Sequence, residues 1–376
     1  MNLIAAILNV LGIIALIVVG IFGLTHTALA PTPTSLPTET TTGGEFPIAS
    51  TTSAKPELTG QKSGLPSSPQ ETGTRTGDPR TSVPEVPAAP TLSDTDLNTL
   101  VRGALVNILC TTISGGAFQP ISGSGVVIDS RGVILTNAHV GQFFLLRDYI
   151  VKNNITCVIR IGSPAQARYS AELLYLPQQW IDDNAEQIKA EQAKGTGQND
   201  YAFVRITGTT NPAGVLPSSF PALAWSTSPP RVGTRMILAS YPAGLLGGDI
   251  IATSLYATSA FATVGQLFSF DGGLQVDTFS VGGTIASQAG SSGGAVASTD
   301  GNLRGLISTA NLGATTGAST LYAISLGHIS RSLAAEGQGG IPVLLDGDIV
   351  AKAANFNATV AKSEAKKLEA VLDSMH

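Results

Sequence analysis

Ser292 lies in Gly290-Ser291-Ser292-Gly293-Gly294, where glycines on either side let the backbone turn tightly. Such a turn aims the N–H groups of Gly290 and Ser292 at one point beside the Ser292 hydroxyl, the arrangement that holds a developing oxyanion. A serine hydroxyl is a poor nucleophile at neutral pH and needs a neighbouring base. The chain has four histidines. His26 borders an apolar N-terminal run, His376 is the last residue, and His328 falls in what reads as a surface helix. His139 is left as the well-placed base, at the turn that follows the apolar strand Val133-Ile134-Leu135. Asp200 stands between the polar loop Gly195-Thr196-Gly197-Gln198-Asn199 and the apolar run Ala202-Phe203-Val204-Arg205-Ile206. There it can be buried at a sheet edge and accept the proton-bearing imidazole nitrogen. A nucleophile, a base and an orienting acid equip the chain for acyl transfer, with Gly290 and Ser292 as the oxyanion hole. Taken singly, each piece has a plainer reading: a Gly-Ser-rich loop, a satisfied structural histidine, a loop aspartate.

Such groups need a rigid frame. From about Leu92 the chain turns to short Val/Ile/Leu-rich runs broken by Gly, Ser and Asn, which read as strands and turns. They include Val106-Asn107-Ile108-Leu109, Gly125-Val126-Val127-Ile128, Thr156-Cys157-Val158-Ile159-Arg160-Ile161, Arg235-Met236-Ile237-Leu238-Ala239 and Leu303-Arg304-Gly305-Leu306-Ile307. About 240 residues of this kind fit a large all-β domain. Two helical patterns interrupt it. Ile181, Ala185 and Ile188, within Trp180 to Lys194, predict a short amphipathic helix inserted before Asp200. Ala361, Ala365, Leu368, Leu372 and Met375 form one apolar stripe and predict a helix over 348–374. That stripe suits a tail folded on its own domain, or a self-association or partner-docking face.

The N-terminal part is different in kind. Residues 3–24 carry no charge and only Asn9 as a clearly polar member, enough to span a bilayer. Ala28-Leu29-Ala30 offers a cleavage site, so residues 1–30 read as a transmembrane anchor or a signal segment. Residues 31–92 are Pro/Thr/Ser-rich, with little to bury, and are expected to form a disordered linker. The domain beyond is then extracytoplasmic, on a single-pass protein of the cell membrane, or secreted if cleavage follows Ala30. Cys110 and Cys157 are a candidate disulfide in an exported chain, the alternative being two small buried apolar residues. With no close His or Cys partners they make a metal site improbable, and no other pattern asks for a metal or a cofactor. A net charge of −5 without a basic cluster argues against nucleic acid as partner. Asn154-Ile155-Thr156 and Asn357-Ala358-Thr359 are acceptor sequons.

Three segments carry a family resemblance. The stretch Ser122-Gly123-Ser124-Gly125-Val126-Val127-Ile128-Asp129-Ser130-Arg131-Gly132-Val133-Ile134-Leu135-Thr136-Asn137-Ala138-His139-Val140 is the strongest, followed by Asn199-Asp200-Tyr201-Ala202 and Gly290 to Val296. Val232-Gly233 through Tyr241-Pro242-Ala243-Gly244-Leu245 resembles the strand and turn that open a second barrel. Together they resemble the trypsin/chymotrypsin-like serine proteases, closest to the bacterial Deg-type branch. The resemblance implies an all-β, trypsin-like fold of two six-stranded antiparallel β-barrels, about 100–210 and about 220–330, within a protease domain at 93–336. A C-terminal helical tail follows at 337–376. His139 and Asp200 come from the first barrel and Ser292 from the second.

Departures from the family pattern sharpen the expectation. Ser291 stands where digestive relatives carry an aspartate that pairs with a newly cut N-terminus, so activation by N-terminal cleavage is not expected. Ala286 stands at the floor of the primary specificity pocket, where an acid would select Lys or Arg. Ser308, Thr309 and Ala310 match the segment that pairs with substrate as an added strand, and Thr320 matches the pocket wall. Cleavage of polypeptides after small or medium apolar residues is implied. Deg-type enzymes continue into peptide-binding PDZ domains, and the 40 residues after Glu336 leave no room for one. Two readings from other classes stand beside this one: a catalytically silent trypsin-fold binding module displayed on a stalk, and a scaffold whose C-terminal helix recruits partners.

Overall fold

β-branched and apolar runs separated by turn residues form strands when their side chains can pack across a pleated surface. The computed structural model describes residues 91–113, 120–189, 196–244, 246–311 and 320–374. The apolar run at 3–24, the linker up to residue 90, His26, Met375 and His376 lie outside the described residues. Among the described residues no helix is long and apolar enough to cross a membrane.

The first barrel contains β1 (Leu105–Thr112), β2 (Ile121–Asp129), β3 (Val133–Thr136), β4 (Ile155–Ile161), β5 (Gln166–Tyr175) and β6 (Ala202–Thr209). They close in the order β1-β2-β3-β6-β5-β4. The second contains β7 (Arg235–Ser240), β8 (Thr258–Phe268), β9 (Thr278–Gly282), β10 (Ala295–Ser298), β11 (Leu303–Asn311) and β12 (Thr320–Ser325), closed as β10-β11-β12-β9-β8-β7. All neighbours are antiparallel, and each run read as a strand from the sequence falls in one of these twelve. Barrel 1 is filled by residues such as Ile108, Ile134, Ile159 and Phe203, all fully buried. Barrel 2 has its own cluster around Met236, Leu238, Phe279 and Leu321. Burying one such side chain contributes roughly 1.5–3 kcal/mol.

Cys110 and Cys157 are directly opposite in the β1–β4 ladder and are joined as a disulfide, with Cα atoms 4.0 Å apart. The sequence left the pair open; the strand register decides it.

A helix precedes the barrels where the sequence reading expected only strands. α1 (Asp94–Gly103) starts at Ser93, whose hydroxyl accepts from the Asp96 N–H at 3.1 Å, and it buries Leu97 and Val101. Ser93-x-x-Asp96 before an apolar run is a capping signature that the reading passed over. One helical turn, α2 (Ala138–Gly141), follows β3. The inserted helix is α3 (Gln178–Asn184), continued by a 3-10 turn at Ala185–Lys189; residues 190–195 lie outside the described residues. α4 (Gly248–Thr253) sits between β7 and β8. Arg160 of β4 is 2 % exposed and has no carboxylate partner among the described residues. Its guanidinium donates instead to Ile251 O (2.8 Å), Ala252 O (3.0 Å) and Ala165 O (2.9 Å), which fastens the α4 segment to barrel 1.

Four helices close the chain: α5 (Leu326–Ala335), α6 (Ile341–Leu345), α7 (Ile349–Ala358) and α8 (Val360–Asp373). The helix expected over 348–374 is therefore two, interrupted at Thr359, whose φ of −117° and ψ of −89° leave the helical region. Ala361, Leu368 and Leu372 are buried and α8 packs on α3, so the apolar stripe lies on the chain's own domain. His328 does fall in a helix, but it is not on the surface: it is 9 % exposed, with Nδ1 2.9 Å from Asp277 Oδ1. Both sequons are engaged internally. The Asn154 amide donates to Tyr149 O from a residue only 1 % exposed, and the Asn357 amide donates to Leu173 O and Ala353 O.

Candidate active site

β3 runs straight into α2, so the chain turns sharply at Asn137 and delivers His139 to the end of barrel 1. The neighbouring strand in the sheet is β6, and Asp200 lies two residues before its first residue, Ala202. Their meeting is over-determined: the Asn137 amide donates to Asp200 O at 2.8 Å, and the His139 backbone N–H donates to Asp200 Oδ1 at 3.0 Å. The imidazole Nδ1 lies 2.9 Å from Asp200 Oδ2 and 3.1 Å from Oδ1, which places its proton on Nδ1 and leaves Nε2 as the acceptor. Asp200 is 5 % exposed. Burial alone would raise its pKa, but the His139 charge and the hydrogen bonds from His139 and Ser308 outweigh it and hold the carboxyl below its ordinary value. For His139, burial pulls the pKa down, and the Asp200 carboxylate more than reverses that, so the net displacement is upward.

Barrel 2 supplies the serine. Ser292 sits half-buried on the loop before β10. Its hydroxyl donates at 3.4 Å to Ser308 O, and no hydrogen bond joins it to His139 among the described residues. Two glycines make the loop possible. Gly290 has φ +87°, and a Cβ there would lie 2.8 Å from Tyr241 O; Gly293 has φ +84°, and a Cβ there would lie 2.0 Å from Ser124 O. No side chain fits either position. The Ala243 N–H donates to Ala289 O at 2.7 Å, which turns the N–H of the same planar peptide, that of Gly290, the opposite way. Neither the Gly290 nor the Ser292 N–H donates to an acceptor among the described residues. The loop is tied to barrel 1 by the Ser124 N–H donating to Ser292 O at 2.8 Å. Residues 123–306, which hold His139, Asp200, Gly290 and Ser292 but not Ser308, match the trypsin-like peptidase domain family.

The two barrels form a trypsin-like serine peptidase domain. Among solved structures, the active form of the Rv3671c protease from M. tuberculosis is similar at 17 % identity and a TM-score of 0.40, over 69 % of this chain and 93 % of that one. No curated protein matches the sequence.

In this peptidase domain Ala286 lies in a 3-10 turn, Ile285–Ser287, and is 3 % exposed, packed into the barrel-2 cluster. Thr309 and Ala310 belong to β11, with their backbones registered against Tyr322 and Leu321 of β12; Thr320 opens β12 opposite Asn311 and Gly282. Ser291 is 1 % exposed, and its hydroxyl accepts from the Ser240 hydroxyl at 3.0 Å, so the position before Ser292 has a partner inside its own barrel. Ser308 turned out to have a second contact that sequence reasoning missed: its hydroxyl donates to Asp200 Oδ2 at 2.9 Å. The pairing of His328 with Asp277, joined by Arg331 at 2.6 Å, was also missed. Burial lowers the His328 pKa against the opposing pull of Asp277. No residue spacing announces either contact. Among the described residues no cluster of His, Cys, Asp or Glu could hold a metal ion.

Proposed function

We propose that this serine peptidase is an endopeptidase that works outside the cytoplasm, membrane-held or secreted, with Ser292 as nucleophile, His139 as base and Asp200 as orienting acid. The observation that carries the reading is the 2.9 Å contact of His139 Nδ1 with a buried carboxylate, in a domain whose Gly290 and Ser292 N–H groups engage no acceptor among the described residues. Substrate entry turns the Ser292 hydroxyl from Ser308 O toward Nε2. The hydroxyl oxygen then attacks the scissile carbonyl, Nε2 takes its proton, and the two amides receive the oxyanion. Collapse breaks the C–N bond as the imidazolium returns that proton to the leaving amine, forming the acyl-enzyme. Water attacks the ester with His139 again as base, releasing the new carboxylate and the Ser292 hydroxyl. Asp200, with its pKa held low, remains ionised throughout.

Ala286 puts no charge at the expected pocket floor, which favours small or medium apolar residues before the cleaved bond, with Ser308 to Ala310 pairing to the substrate backbone and Thr320 at the pocket wall. Export is favoured by the apolar run at 3–24 and by the Cys110–Cys157 bridge, a bond that persists in oxidising compartments. A catalytically silent binding module is the second reading, favoured by the Ser292 hydroxyl lying on Ser308 O rather than on His139. Labelling of the full chain with a fluorophosphonate probe decides between them. Labelling of wild type and Ser291→Ala but not Ser292→Ala is expected for the enzyme; a folded wild type that takes no label supports the silent module.

A further inference from the structure

Glycine at position 290 is unavoidable, and it carries a cost: a residue without Cβ turns easily about φ and ψ, so nothing in the residue itself keeps its N–H aimed at a substrate. The restraint has to come from outside. Each peptide unit is planar, so holding a carbonyl oxygen holds the N–H on the other side of that plane. Two planes matter. The plane between Ala289 and Gly290 is held by the Ala243 N–H. The plane between Gly290 and Ser291 is held from the other barrel: the Ser124 hydroxyl donates to Gly290 O at 2.8 Å.

Ser124 is fully buried in β2. The same hydroxyl accepts the Tyr241 N–H at 2.8 Å, so its one donor and one of its lone pairs are both committed. Its own N–H donates to Ser292 O at 2.8 Å, and its carbonyl accepts from the Thr136 hydroxyl at 2.7 Å. One residue thus grips the carbonyls of Gly290 and Ser292, the two residues whose N–H groups are proposed to form the oxyanion hole. Tyr241 is fastened in turn, its hydroxyl donating to Gly162 O at 2.8 Å.

We infer that Ser124 is a positioning residue for the oxyanion hole, its hydroxyl locking Gly290 so that the hole is already formed before substrate arrives. The inference rests on the proposed roles of Ser292, Gly290 and His139. A residue that merely glued the barrels would affect folding. A residue that aims the hole affects the transition state, so its loss appears in kcat with little change in KM.

The test uses the full chain, a peptide p-nitroanilide with alanine or valine before the scissile bond, and the peptidyl trifluoromethyl ketone of the same sequence, whose hemiketal oxyanion needs the hole. Ser124→Ala is expected to lower kcat by about tenfold to a hundredfold, less than outright loss of a hole donor, and to weaken the ketone by a similar factor. KM stays within about twofold. If Ser124→Ala does not fold, Ser124→Thr and Ser124→Val replace it, since they match in volume and differ in the hydroxyl; Thr is expected to exceed Val at least about tenfold in kcat. Wild-type kcat in the Ala variant, or equal kcat in Thr and Val, overturns the role of Ser124 while leaving the enzyme reading intact. A folded wild type with neither turnover nor ketone binding overturns both.

Discussion

The Ser308 hydroxyl donates to Asp200 Oδ2 at 2.9 Å, so the carboxylate that orients His139 is held by a residue of the opposite barrel. Asp200 then receives the His139 N–H, the His139 Nδ1–H and Ser308 Oγ–H. A hydrogen bond to a charged group contributes about 1.5–3 kcal/mol, but two donors remain when this one is lost. Ser308→Ala is therefore expected to lower kcat/KM only about threefold to tenfold. Steady-state rates on a peptide substrate check this, and a loss comparable to that of Asp200→Asn would contradict it.

The pH profile follows from the same carboxylate. The proposed mechanism needs neutral His139, and Asp200 raises the imidazole pKa above its ordinary 6.5 in spite of burial. Activity is thus expected to rise with pH through a midpoint above 6.5. Removing the charge leaves burial to act alone, so Asp200→Asn should move that midpoint downward while lowering kcat on the order of 10⁴-fold. The kcat/KM profile of both proteins, read in the free enzyme, tests the direction.

Members of the proposed triad are expected to act as one unit. Ser292→Ala and His139→Ala are each expected to lower kcat on the order of 10⁶-fold, and the double variant no further. Additive losses in the double variant, measured by active-site-titrated kinetics, would mean that His139 does not serve Ser292.

The Cys110–Cys157 bridge spans 47 positions and constrains the unfolded chain. Replacing both with serine is expected to cost about 2–4 kcal/mol of stability. Equilibrium denaturation of wild type, reduced wild type and the double variant gives the comparison, with the two bridge-free forms expected to agree.

How much of this was written in the chain divides along sequence distance. Strand runs such as Gly125 to Ile128 and Ala202 to Ile206 announce themselves, because alternation of burial and turn-forming glycines are properties of neighbouring residues. The glycines around Ser292, the turn after Val133-Ile134-Leu135 and the polar loop before Asp200 are local in the same way, which is why the sequence alone singles out the proposed nucleophile, base and acid. The Ser93 cap was local too, and was simply passed over.

Tertiary structure alone decided the rest. Ser308 and Asp200 are 108 positions apart, and Ser124 and Gly290 are 166 apart. A serine in a strand looks the same whether its hydroxyl meets water or a carboxylate from another barrel. His328 reads as a surface helix residue until the segment carrying Asp277 packs over it, and the stripe on α8 suits either a tail folded on its own domain or a docking face until α3 packs against it. Pattern and propensity are set by near neighbours and so belong to the sequence; the partner of a buried polar group is set by which strands close against which, and exists only once both barrels have formed.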